Sequence, residues 1–278
     1  MGVICEPRAE KIFEKLFKNP LTNRLKYDII YMFPRENRKR DRPMDTEKID
    51  RRRHYIIVLD TETANTFTDE NGNLDTSSTL VYDMGWAVAD KHGNIYRKKS
   101  FVNSDIFFHE AELMKSAYYA NKIPKYLEDI EAGKRIVANT YGIRSALLND
   151  IADFAVDTVC AHNARFDYNS LNSTERWTTK SKYRYFLPYG ITVWDSLKIA
   201  RSVMGKMPTY RKFCEDNNYL TKNGQLRFTA EILYRFISKD NNFIEAHTAL
   251  ADVEIETQIM AYCFKQHKAM KKLLFEKN

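Results

Sequence analysis

Five apolar residues, Tyr55-Ile56-Ile57-Val58-Leu59, run straight into Asp60-Thr61-Glu62. Three of the five are β-branched, and a short apolar run of that kind reads as a buried strand. Residues i and i+2 of a strand share a face, so Asp60 and Glu62 present two carboxylates together at its end. Two hard oxygen donors at that spacing suit Mg²⁺ or Mn²⁺. An acid-x-acid pair is common, however, and taken alone a polar strand end leading into a turn explains it more often.

The pattern around this strand sets the fold class. After a polar stretch at 66–79, residues 81–90 and 94–103 read as strands, joined at Lys91-His92-Gly93 as a hairpin. Helical periodicity follows at 106–132, broken near Pro124, and again at about 143–155. Short strands are predicted at 157–162 and 191–196, with a helix from about Arg165, a helix over SLKIARSVM and a last helix from about His247. A three-stranded meander followed by alternating helices and strands predicts a mixed sheet with helices on its faces.

Three more candidate residues lie far along the chain. Asp167, in CAHNARFDYNSLN, falls one turn into a helix, where the macrodipole favours an acid in any case. His247 and Asp252, in EAHTALADVEIE, are five residues apart, or about 140° apart around a helix. They converge only if His247 sits on the preceding loop or at the helix start. Glu254 and Glu256 are read as the solvated face of that helix.

In combination and in this order the elements are specific. The chain resembles the DEDDh exonucleases, a DnaQ-like family of the ribonuclease H-like superfamily that includes proofreading subunits. LDTET corresponds to the first motif of that family, AHNARFD to the second and HTALADVEIE to the third, and WDSLKIAR is similar to the strand-helix element between the last two. The resemblance covers about 55–265. Thr248 stands where a sister group carries Tyr, so the histidine form applies.

The resemblance implies an α/β, ribonuclease H-like fold: a mixed five-stranded sheet flanked by helices. It implies 3′→5′ hydrolysis of DNA or RNA to nucleoside 5′-monophosphates, with two divalent ions, Mg²⁺ or Mn²⁺, as cofactors. Asp60, Glu62 and Asp252 would hold one ion, and Asp60 with Asp167 the second. Two ions about 3.5–4 Å apart would stabilise the attacking and leaving oxygens of the phosphodiester. His247 would be the general base. Contacts to the terminal nucleotide would fall to Thr63, Ala64, Asn163 and Phe166. The segment 221–246, ahead of His247, reads as an insertion that shapes specificity.

The rest of the chain bears on partners. The net charge of +7 favours a polyanion. Nine basic and five acidic residues crowd into 35–53, behind amphipathic helical stretches in 1–34. Residues 1–53 are therefore read as a helical appendage with a basic linker, and 54–278 as the exonuclease domain. RWTTKSKYRYF, at 176–186, interleaves basic and aromatic residues and is the best candidate for a strand-tracking surface. The expected partner is nucleic acid with a free 3′ end, single strands preferred, with a polymerase or another protein in trans as a further possibility. A non-catalytic or partner-recruited nucleic-acid-binding module on the same fold is the alternative. Cys5, Cys160, Cys214 and Cys263 form no C-x-x-C pair, which argues against zinc and for reduced thiols. With no apolar run of membrane length and no secretory leader pattern, a cytoplasmic protein without membrane contact is expected.

Overall fold

A computed structural model describes residues 49–275, apart from 51, 65–66, 69–73, 76–77 and 118. The appendage and linker expected over 1–53 lie outside the described residues, except for 49–50 and 52–53.

Six strands form one sheet: β1 (Ile56–Ala64), β2 (Leu80–Ala89), β3 (Ile95–Asn103), β4 (Ile136–Ala138), β5 (Thr158–Ala161) and β6 (Thr192–Asp195). Their spatial order is β4-β3-β2-β1-β5-β6. β1, β2 and β3 make an antiparallel meander, closed between β2 and β3 by Gly93 at φ +84°. β4 joins β3 in parallel, as β5 joins β1 and β6 joins β5. This is the mixed, helix-flanked α/β sheet that the sequence predicts. It has one strand more than the five expected, because the three residues of β4 are too few to show a period of their own.

Seven helices of eight or more residues are described: α1 (Ile123–Glu131), α2 (Thr140–Phe154), α3 (Arg165–Thr179), α4 (Ser196–Val203), α5 (Pro208–Asp216), α6 (Ala230–Ser238) and α7 (Ala249–Lys265). Pro124 does not break a long helix, as the sequence suggested, but stands in the first turn of α1. There its missing N–H is harmless and its fixed φ is already helical. The residues before it form short helical turns, at Ser104–Phe107 and Ala111–Met114. The polar stretch after β1 holds a two-stranded ribbon, Phe67–Thr68 against Leu74–Asp75. No helix among the described residues is long and apolar enough to cross a membrane.

Both faces of β1 are covered, which is why its sequence shows no polar alternation. Ile57 and Leu59 pack in one cluster with Leu147 and Phe154 of α2 and Leu171 of α3. Ile56 and Val58 pack on the opposite face with Val253 and Met260 of α7. Asp60 and Glu62 continue this second row, so the pleat of β1 aims both carboxylates at α7. A third cluster joins α4, α5 and α6 to the outer side of α7, through Ile199, Tyr210, Leu233 and Ile259.

Candidate active site

Asp60 is the one residue of β1 that is not fully buried. Its carboxylate and those of Glu62 and Asp252 offer oxygens within 4.8 Å of one another. Asp252 lies in the first turn of α7 and is 6% exposed. Asp167 enters from the other side, in the first turn of α3, where it is buried and accepts a hydrogen bond from the Thr61 hydroxyl at 2.8 Å. Thr61 thus ties the second motif to the first, a link between distant segments that no spacing rule shows.

His247 stands outside α7, on the loop before it, with φ +48° and Thr248 as the cap. The 140° separation on a helix therefore does not apply. The Tyr119 ring stacks on the imidazole at 4.4 Å between centroids and 17° between planes. Lys122 donates its ammonium to the carbonyls of Ala246 and His247. Nδ1 of His247 lies 3.8 Å from the Glu245 carboxylate. Tyr119, Lys122 and Glu245 were not found from the sequence, since each lies outside the three motifs.

The reading of Glu256 as a solvated acid is overturned. Glu254 does face solvent, paired to Lys98 at 2.6 Å. Glu256 is 3% exposed and lines the same cleft as Asp60, Glu62 and Asp252. It lies one turn beyond Asp252, on the same side of α7. That i+4 spacing was the available signal.

Two features of β2 set the position of α7. A Cβ on Gly85 would come within 2.5 Å of the Leu250 nitrogen, so only glycine lets the helix start lie against the sheet. Gly85 pairs with Asp60 across β1 and β2, so this close approach occurs beside the site. Asp83, fully buried, accepts bonds from Tyr126 at 2.5 Å, Arg135 at 3.1 Å and the Ala249 backbone at 3.4 Å. On the other side, His162 ends β5 and bonds through one ring nitrogen to the Ser196 hydroxyl and through the other to the Phe228 carbonyl, both at 2.9 Å. It fastens the segment ahead of α6, including Arg227 and Phe228, to the edge of the cleft.

The implied nucleotide contacts divide. Asn163 is exposed in the cleft, in a left-handed conformation with φ +62°, and its N–H is held by Asp195. Asparagine tolerates that backbone region better than most residues. Thr63 and Ala64 are buried, Ala64 within a core cluster, and Phe166 is half-buried. None of these three side chains is among those lining the cleft.

Packing so many acids together perturbs all of them. Burial, then repulsion from Asp252, raises Glu62 to about 9. Burial and Glu245 raise Asp252 to about 8, and burial raises Asp167 to about 7. Asp60 is pushed well up by burial and then by Glu256. His247 moves the other way, lowered by burial and by Lys122. Among the described residues three buried carboxylate oxygens have no hydrogen-bond partner: Oδ1 of Asp252 and Oε2 of Glu256 in the cleft, and Oδ1 of Asp83, whose other oxygen is bonded by Tyr126 and Arg135. An all-oxygen donor set with unpartnered buried oxygens fits a hard divalent cation, and Asp60, Glu62 and Asp252 are spaced as its ligands would be. A second group, Glu231, Glu245 and His247, also lies within 4.8 Å, but Glu231 is already paired with Arg235.

No family model matches this sequence, and no curated protein does. Solved structures with a similar fold include an exonuclease I from Methylocaldum szegediense, 16% identical over 77% of this chain, with a TM-score of 0.47. This chain spans 41% of that one. The nuclease domain of 3′hExo, described as a DEDDh family member bound to rAMP, is 11% identical over 80% of this chain and 98% of its own, with a TM-score of 0.46. S. pombe Pop2p, in its Mg²⁺- and Mn²⁺-bound form, is 13% identical over 92% of this chain and 91% of its own, with a TM-score of 0.43.

Proposed function

We propose that this chain is a DEDDh exonuclease that removes nucleotides from the 3′ end of DNA or RNA as nucleoside 5′-monophosphates. One observation carries the proposal. Residues from three distant motifs, Asp60, Glu62, His247 and Asp252 with Asp167 alongside, meet around a single open cleft of ≈ 570 Å³. The 3′→5′ direction rests on the motif resemblance.

Asp60, Glu62 and Asp252 would hold one divalent ion, and Asp60 with Asp167 another. Bound there, Mg²⁺ or Mn²⁺ supplies charge stabilisation to the attacking and leaving oxygens of an in-line displacement. His247 takes the proton of the attacking water. Its lowered pKa keeps the imidazole neutral, and with Nδ1 turned to Glu245 the proton goes to Nε2. Tyr119 holds the ring plane, and Lys122 holds the loop that carries it. Asn163 contacts the terminal nucleotide, and Arg227 faces the backbone phosphates. Thr63 and Ala64 contribute main chain rather than side chain, and Phe166 backs the second motif. Single strands are the preferred substrate, since a terminal nucleotide must leave its partner to enter the cleft. Three described cysteines, free and buried, suit a reducing, cytoplasmic setting.

The test is degradation of end-labelled single- and double-stranded DNA and RNA with Mg²⁺, with products resolved by length. Stepwise shortening from the 3′ end, abolished by chelator and by Asp60→Ala, is the expected result. Shortening from the 5′ end, cutting of circular strands, or full activity in excess chelator would refute it.

A further inference from the structure

The resemblance supplies four carboxylates, and the fold places a fifth among them. Glu256 sits on α7 one turn after Asp252 and is 97% buried at 3% exposure. The backbone N–H of His162, just after β5, favours the charged form of its carboxyl, against the burial and the acids that raise it. Its Oε2 is buried and has no hydrogen-bond partner among the described residues. No lysine or arginine forms an ion pair with it among the described residues. Its surroundings are Asp60, Asp167 and Asp252, and of the acids around Asp60 it exerts the largest repulsion.

A buried carboxylate oxygen without donor or cation is strongly unfavourable, and native folds tolerate one mainly where it binds something. The neighbours of Glu256 Oε2 are acids too, so any proton one of them donates to this oxygen must first be taken up from solvent against the ordinary carboxylate pKa. A divalent cation satisfies that oxygen without a further protein group.

We propose that Glu256 is a fifth carboxylate of the metal centre, and that its free Oε2 would add to the donors that Asp60, Glu62 and Asp252 offer a divalent cation. This inference rests on the metal-dependent reading above and adds a ligand to it. Five carboxylates carry one negative charge more than two divalent ions offset, and Lys122, whose ammonium favours the charged forms of Glu62 and Asp252, partly balances it.

The test is Mn²⁺ binding by calorimetry on the metal-free full chain, with melting temperature measured with and without Mn²⁺. Glu256→Gln keeps the shape and removes the charge. Affinity for Mn²⁺ should fall about 10-fold or more, the scale on which even outer-shell changes act. The metal-free variant should melt higher than the wild type, because Gln neither carries a charge among the acids nor takes up a proton on folding, while its gain on adding Mn²⁺ shrinks. Glu256→Asp, which keeps the charge but withdraws it by one methylene, should bind between the two. Wild-type affinity in Glu256→Gln overturns the proposal, as does a wild type that binds no Mn²⁺. A wild type that binds Mn²⁺ and degrades no nucleic acid would overturn the exonuclease reading alone. A wild type that degrades nucleic acid, beside a Gln variant that binds Mn²⁺ equally well, would overturn the ligand assignment alone.

Discussion

His247 illustrates how one side chain depends on groups far away in sequence. Its ring is stacked on Tyr119, and its pKa is lowered by burial and by Lys122. A general base works only when unprotonated, so the rate should rise with pH through the His247 pKa and level off above it. The midpoint should lie below the ordinary histidine value of about 6.5. His247→Ala should lower the rate by about 10²–10⁴ and abolish that rising limb, while Mn²⁺ affinity stays near wild type. Rate against pH for both proteins checks this. A variant that keeps the limb and a near-normal rate would leave His247 with a packing role only.

Among the elements, α7 matters most, because it brings in Asp252 and Glu256 and its start rests on the backbone of β2. Gly85→Ala would drive a methyl group into the Leu250 nitrogen. Overpacking of this kind typically costs about 1–3 kcal/mol. The larger consequence should be displacement of α7, so activity and Mn²⁺ affinity should fall by more than the melting temperature alone suggests. Unchanged Mn²⁺ binding in a folded Gly85→Ala protein would show that the contact does not set the site. The segment after α3 makes a separate prediction. Tyr183 is 89% exposed, and Tyr189 is fully exposed, in a stretch whose backbone is held by Asn172 and Arg144 at Phe186. If single strands run over it, changing both tyrosines to Ala should weaken binding of long oligonucleotides. Each stacked base contributes about 1–3 kcal/mol. Melting temperature and the rate on dinucleotides should hold. Equal affinity for long strands would restrict recognition to the cleft.

For the molecule as a whole, the acid cluster couples pH to stability, and on the proposed function it couples a bound metal to both. Without metal, Glu62, Asp252 and Asp167 titrate at about 9, about 8 and about 7, against about 4 in an unfolded chain. The folded protein therefore holds protons that the unfolded chain has released, and ionising these groups opposes folding. Their stabilising contribution is complete below about pH 4 and is lost as pH rises through 7 to 9. Metal-free protein should consequently melt at lower temperature at pH 9 than at pH 6. The increase on adding Mg²⁺ should be larger at pH 9, where the ligands bind without first losing protons. Scanning calorimetry at the two values, with chelator and with Mg²⁺, checks both. A metal-free melting temperature that rises from pH 6 to 9 would contradict the cluster as described.

The sequence by itself determined the mixed, helix-flanked sheet and the carboxylate pair at the end of β1, and it singled out Asp167, His247 and Asp252 as candidates. It could do so because those signals are local: strand pleat, helical period and residues at fixed spacing. Tertiary structure decided what faces what. Glu254 and Glu256 are alike in a sequence, two acids two residues apart, yet one pairs with Lys98 in solvent and the other is sealed against Asp60. Helical phase puts Glu256 beside Asp252, but only the docking of α7 on β1 makes that face an interior one. The same holds for Thr61 bonding Asp167 across 106 positions, and for Gly85 beneath Leu250. Such contacts depend on how separate elements pack, and no spacing along one element encodes them.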